Sequence, residues 1–152
     1  VPLQEIYNFL YLCYNTNMEE QTSGASKGKV LIVDDDKFLL DMYSLKFKMN
    51  GFEVMAGMGG KDALSKLENG FDPDILLFDI AMPGMDGPEF FAAVLEHGYA
   101  SHATAVALSN QQEPADIEKV KSLGAAEYLI KASMTPQELI DRVVQIVAEH
   151  KK

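Results

Sequence analysis

The sequence predicts an α/β domain, a doubly wound, five-stranded parallel sheet with helices on both faces, preceded by one extra N-terminal helix. Two observations carry this expectation. Short apolar runs with strand character alternate five times with stretches of helical spacing after Lys29, the pattern of consecutive βα units. The run Ile75-Leu76-Leu77-Phe78 is apolar without a break and leads straight into Asp79. Such a run marks a strand buried on both faces, as in parallel sheets.

Residues 1–28 stand apart as a helical segment with a linker, and residues 29–152 form the α/β domain. Leu3, Ile6, Tyr7, Leu10, Tyr11 and Tyr14 fall on one helical stripe that Pro2 starts,. Gln21 to Gly28 is small and polar, as in a flexible linker. The first methionine is Met18. The segment before it is therefore either a genuine extra helix or sequence upstream of the natural start. As a helix it has to dock, and a second copy of the chain is the expected partner, giving a possible homodimer.

Within the domain, Val30 to Val33 is the first strand and ends in Asp34-Asp35-Asp36. Phe38, Met42, Leu45 and Met49 then mark a helix that Asn50-Gly51 closes. A weak second strand follows near Phe52 to Met55, and a short helix carries Ala63, Leu64 and Leu67. The third strand is Ile75 to Asp79, behind which Ala81-Met82-Pro83-Gly84-Met85-Asp86-Gly87 makes a sharp turn. Its helix carries Phe90, Phe91, Val94 and Leu95. Ala103 to Leu108 is the fourth strand, ending in Ser109-Asn110, and Ile117, Val120 and Leu123 mark the next helix. Glu127 to Ile130 is the fifth strand and ends in Lys131. Thr135-Pro136-Gln137-Glu138 is a capping box for a last helix with Ile140, Val143, Val144 and Val147 inward,.

Composition narrows the function. With 47% hydrophobic and 24% charged residues the chain is of ordinary globular make-up,. A net charge of −10 argues against nucleic-acid binding by the bulk surface and against an anionic membrane face,. Cys13 is the single cysteine, so neither a disulfide framework nor a cysteine metal site is expected,. Apolar runs fall short of the roughly 20 residues that cross a bilayer, and the N-terminus lacks the cationic start of a signal peptide. The expectation is a cytoplasmic protein.

Four strands end in polar groups, Asp34/Asp35, Asp79, Ser109 and Lys131, and a parallel sheet brings all these ends to one edge. Asp36 serves as the cap of the following helix. The remaining carboxylates repel one another unless a cation joins them, and a hard divalent ion with oxygen ligands, Mg²⁺ first, suits them. If Asp79 accepts a phosphoryl group, every group has a task. Asp79 is the nucleophile, the acids hold the Mg²⁺, and Lys131 and Ser109 donate to phosphoryl oxygens.

From Lys29 to about Glu149 the chain resembles the receiver domain of bacterial two-component response regulators, of the stand-alone, chemotaxis-regulator-like kind. The motifs are VDDD at 33–36, D-x-x-MPGMDG at 79–87, the hydroxyl of Ser109, and Lys131 after Tyr-Leu-Ile. The steps from 35 to 79, 79 to 109 and 109 to 131, of 44, 30 and 22 residues, fit the same family. The resemblance implies a flavodoxin-like receiver fold and an aspartate phosphorylated from the phosphohistidine of a sensor histidine kinase or phosphotransfer protein. Carried over, Asp34, Asp35 and Asp79 are metal ligands together with the Ala81 backbone carbonyl, and Asp79 is the phosphoacceptor. Ser109 is the switch hydroxyl, Lys131 the phosphate-pairing lysine, and Tyr128 the aromatic partner of the switch. The output is expected through contact with a downstream protein target, with no direct DNA binding, since no output domain follows the last helix.

Two positions depart from the family. Asn110 stands where receivers usually have Ala or Gly and narrows access to the phosphoryl group. Ala132 follows the lysine where receivers have proline; a cis bond there would cost about 2.5–4 kcal/mol, so trans is expected. Rival classes fit less well. A haloacid-dehalogenase-like phosphatase needs a second acid two residues after the nucleophile, where this chain has Ala81. A phosphate loop at Gly57 to Asp62 lacks the hydroxyl residue after Lys61,. A receiver-like interaction module that is never phosphorylated is the remaining alternative.

Overall fold

The structure is a computed structural model that describes residues 2–17, 26–110 and 114–150, with side chains from residues 2–10, 26–110 and 114–150. Five strands, β1 (Lys29–Asp34), β2 (Glu53–Met58), β3 (Ile75–Asp79), β4 (Thr104–Ser109) and β5 (Glu127–Ile130), form one parallel sheet in the order β2-β1-β3-β4-β5. The chain steps outward from β1 to β2 and then returns to place β3 on the other side of β1. Between β1 and β3 lies the point where ligands bind in such sheets, beyond the carboxyl ends of the strands. Asp34 and Asp79 are the last residues of those two strands.

Helices follow the strands in alternation: α2 (Lys37–Met49), α3 (Gly60–Glu68), α4 (Gly87–Glu96), α5 (Pro114–Ser122) and α6 (Pro136–His150). On one face, α2 and α6 pack Leu40, Tyr43, Phe47, Leu139, Ile140, Val143 and Ile146 against Val30, Ile32, Leu77, Val106 and Leu108. On the other, Ala63 and Leu67 of α3, Phe90, Phe91 and Val94 of α4, and Val120 of α5 meet Leu31, Val33, Leu76, Phe78 and Ala107. Alternate residues of β1, β3 and β4 therefore serve opposite layers, which is why Val30 to Val33, Ile75 to Phe78 and Ala105 to Leu108 are apolar without a break. Phe78 anchors the second layer, with the rings of Phe90 and Phe91 centred 5.9 and 5.2 Å away.

Several helical faces are rotated from their expected setting. In α2 the buried face is Leu40, Met42, Tyr43, Ser44 and Phe47; of the expected stripe only Met42 is buried, and Met49 is exposed. Leu95 of α4 and Val144 of α6 are also exposed, and Leu139 and Ile146 take the inner positions of α6. β2 runs three residues further than expected. Its weak strand formers Ala56 and Gly57 pair with Ile32 and Val33 of β1, and a side chain at Gly57 would strike Ala63 of α3 at 2.7 Å.

The N-terminal helix α1 (Leu3–Asn17) packs against α2 of its own chain. Ile6 and Leu10 are half-buried against the α2–α6 layer, whereas Leu3 and Tyr7 are exposed. The expected stripe is thus split between a docked and a free edge; the side chains of Tyr11 and Tyr14 and the residues of the linker from 18 to 25 lie outside the described residues.

Candidate functional site

The site is built at the carboxyl edge of β1 and β3. Asp34 is held by its position as the last residue of a strand buried from Val30 onward, and its Oδ1 accepts the Asp36 backbone N–H at 2.9 Å. Asp35 is exposed and turns the chain out of the sheet. Asp36 then caps α2, accepting from the N–H groups of Phe38 and Leu39 at 3.0 and 3.3 Å. Three successive acids thus divide into two ligand candidates and one cap, as the sequence suggests.

Asp79 ends β3 beside them, only 5% exposed. The turn behind it is pinned by a close backbone approach: Gly87 donates its N–H to the Ile80 carbonyl at 2.7 Å, and a Cβ on Gly87 would lie 2.5 Å from the Asp79 carbonyl oxygen. Only glycine lets α4 begin this close to the strand. Asp86 caps α4 through the Glu89 N–H at 2.8 Å, so the loop is fixed at both ends. Ala81 is exposed in this loop between the buried Ile80 and Met82.

Lys131 reaches the same point from the end of β5. Its ammonium donates to Asp34 Oδ2 at 2.8 Å and lies 3.3 Å from Asp79 Oδ1, with all three side chains buried. Burial acts to lower the lysine, but the hydrogen bond to Asp34 and the charges of Asp79 and Asp34 outweigh it and hold the ammonium above its ordinary range. Asp79 is pushed up to about 6, first by burial and then by the charges of Asp34 and Asp35, against the pull of Lys131. Ser109 is buried at the end of β4, one residue past the Leu108 that pairs with Asp79. Tyr128 is half-buried on β5, opposite Ala107. The peptide bond between Lys131 and Ala132 is trans, and Lys131 to Ser133 forms a single 3-10 turn.

Asp34, Asp35 and Asp79 each offer a carboxylate oxygen within 4.8 Å of the others. Three carboxylates face one ammonium, and the charges of Asp34 and Asp35 add to the larger effect of burial in raising Asp79. An oxygen-only, net negative donor set of this kind fits a hard divalent cation such as Mg²⁺.

Two features near the site escaped the sequence reading. Tyr43 of α2 is 4% exposed, and its phenol is raised by burial, with Lys131 opposing and Asp34 and Asp79 adding to the effect. Its spacing of three from Leu40 places it on the buried face of α2 but does not place it beside the acids. On the edge strand, Lys66 donates to the Ala56 carbonyl at 2.6 Å, while Asp62 accepts the Met58 N–H at 2.9 Å. This side-chain clip satisfies part of the outer edge of β2.

A doubly wound α/β module with an acidic cluster at its switch point is the class that fold and site define. Residues 30–144 match the response regulator receiver domain model, and the chain belongs to that family. The chain is similar to the Vibrio cholerae chemotaxis protein CheY4, with 29% identity over 80% of this chain and 99% of that one, at a TM-score of 0.73. It is also similar to the N-terminal domain of a response regulator/sensory box/GGDEF 3-domain protein from Carboxydothermus hydrogenoformans, with 33% identity, coverage of 81% and 96%, and a TM-score of 0.69. A CheY-like receiver domain protein from Methanospirillum hungatei matches at 26% identity over 82% and 96%, with a TM-score of 0.73. Among the described residues, no helix is long and apolar enough to cross a membrane.

Proposed function

We propose that the chain is a phosphoacceptor, with residues 29–152 as the receiver and residues 1–28 as an appended segment. Asp79 takes a phosphoryl group from the phosphohistidine of a sensor histidine kinase or phosphotransfer protein, in the cytoplasm. A carboxylate oxygen of Asp79 forms the new P–O bond as the P–N bond of the donor breaks, and the departing imidazole takes up a proton. Asp79 is pushed up to about 6, so at neutral pH it is largely the carboxylate that such an attack requires.

The observation that carries this reading is the convergence of Asp34, Asp35 and Asp79 within 4.8 Å, with Lys131 at 2.8 and 3.3 Å from two of them. Asp34, Asp35, Asp79 and the Ala81 carbonyl would hold Mg²⁺, which supplies positive charge to the phosphoryl oxygens when bound. Lys131 is already aimed at the carboxylates, and its ammonium pairs with a phosphoryl oxygen as that charge arrives. Ser109 donates its hydroxyl to a second oxygen. Tyr128 turns as Ser109 moves, which remodels the face of α5, β5 and α6 for a downstream protein. Moving a two-state switch from 1:99 to 99:1 takes about 5.5 kcal/mol, within reach of several charge-assisted hydrogen bonds at roughly 1.5–3 kcal/mol each.

Intact-mass measurement after phosphoramidate treatment with Mg²⁺ tests the reading. One added phosphoryl group is expected, absent with a chelator and absent in Asp79→Ala. Equal labelling of Asp79→Ala would refute the assignment.

A further inference from the structure

The helix α1 rests on a surface that is chemically specific. Ile6 and Leu10, four residues apart, are half-buried against the apolar layer formed by α2 and α6. Between them on the same face, Phe9 presents its ring to Lys46 of α2, whose ammonium lies 4.5 Å from the ring centroid. Lys46 also donates to Oε1 of Gln137 at 3.4 Å, so one lysine joins α1, α2 and α6. The last turn of α2 carries both Lys46 and Lys48, while α1 contains one acid, Glu5, and no basic residue. Charge and shape therefore select a helix with aliphatic residues at i and i+4, an aromatic at i+3, and no basic side chains.

The attachment is also built to be released. Among the described side chains of α1, Ile6 and Leu10 are only half-buried, Leu3 and Tyr7 are 74% and 65% exposed, and Phe9 is 39% exposed. A helix of 15 residues is close to the lower limit of stability by itself,. Once displaced, α1 would lose its helical order and gain the freedom of an open chain, which favours exchange with a competing helix.

We propose that the surface of α2 and α6 around Lys46 is a docking site for an amphipathic helix, and that α1 is its resident occupant in cis. A partner helix with the same aliphatic and aromatic spacing binds there only by displacing α1. The segment thereby acts as an intramolecular competitor that raises the affinity a partner needs. This surface centres on Lys46 of α2 and includes none of the acids of the sheet edge, so α1 seats there without a phosphoryl group on Asp79.

A fluorescent peptide of residues 2–17, titrated with the full chain and followed by anisotropy, tests the competition. Ile6→Asp combined with Leu10→Asp frees the surface without touching the α/β core. That double variant should bind the peptide at least tenfold more tightly than the parent. Equal binding by both, or binding by neither, overturns the proposal. A second measurement fixes the occupant. With Cys13 replaced by Ser, Phe9→Cys and Lys46→Cys should be bridged by a short bis-maleimide within one chain at dilute concentration. Bridging only between chains would make a second copy the occupant and overturn the cis assignment.

Discussion

Replacing Asp79 by Asn should make the metal-free protein more stable at neutral pH. The carboxyl is pushed up to about 6 from an ordinary 3.8, so ionising it in the folded state costs more than in the unfolded chain. At about 1.4 kcal/mol for each pH unit of separation, the penalty is roughly 3 kcal/mol. Asn keeps the volume and an acceptor oxygen for Lys131, whose shorter contact at 2.8 Å is to Asp34 and is retained. Allowing for relaxation, a gain of about 1–3 kcal/mol is expected, or several degrees in Tm for a domain of this size. The sign with pH follows from linkage. A folded-state acid with a raised value holds its proton where the unfolded chain has released it, so parent stability falls as pH rises from about 4 through about 6. The Asn variant lacks that fall. Urea denaturation with a chelator, from pH 4 to 8, reads both quantities. Adding Mg²⁺ to tenfold above its dissociation constant should return about 1.4 kcal/mol to the parent, and less to the variant. A variant no more stable than the parent, with the same pH slope, would refute the electrostatic reasoning.

Gly87→Ala should destabilise by about 1–3 kcal/mol through overpacking and blunt phosphorylation, since the new Cβ meets the Asp79 carbonyl at 2.5 Å; urea denaturation and acetyl phosphate labelling measure the two effects. Asp62 is held below its ordinary range by the Met58 N–H, opposed by burial and aided by Lys66. Its contribution is therefore present above about pH 4 and is lost as pH falls further, and Asp62→Asn should remove that acid-side loss in a thermal melt. Asn110 is exposed at the edge of the site, where its amide should shield the phosphoryl group from in-line water. Asn110→Ala should then lose the group faster than the parent in a mass-resolved decay.

Much of this molecule was legible in the sequence because β1, β3 and β4 are buried on both faces. Val30 to Val33 and Ile75 to Phe78 contain no polar residue to blur their limits, and the acids that end them mark the sheet edge directly. The β2 strand was hard to read because Ala56 and Gly57 have weak strand preference and are held by pairing to β1 and by the close approach of Ala63. Helical faces were set by neighbours that the periodicity of one helix does not encode. The apolar periodicity of α2 points to Phe38, Met42, Leu45 and Met49, whereas Leu40, Tyr43 and Phe47 meet the sheet. The same limit applied to α1, where Ile6 and Leu10 meet the α2 layer while Leu3 and Tyr7 stay exposed. At the site, residue types were sufficient for Asp34, Asp79 and Lys131. The depth of Tyr43 within their field arises from packing and has no signature in spacing alone.

The central claim, that Asp79 is the acceptor, is tested most directly by locating the phosphoryl group. Treatment with acetyl phosphate and Mg²⁺, reduction of the acyl phosphate with borohydride, and peptide mass spectrometry should convert Asp79 alone to homoserine. Conversion at Asp34 or Asp35 with Asp79 unchanged would contradict it.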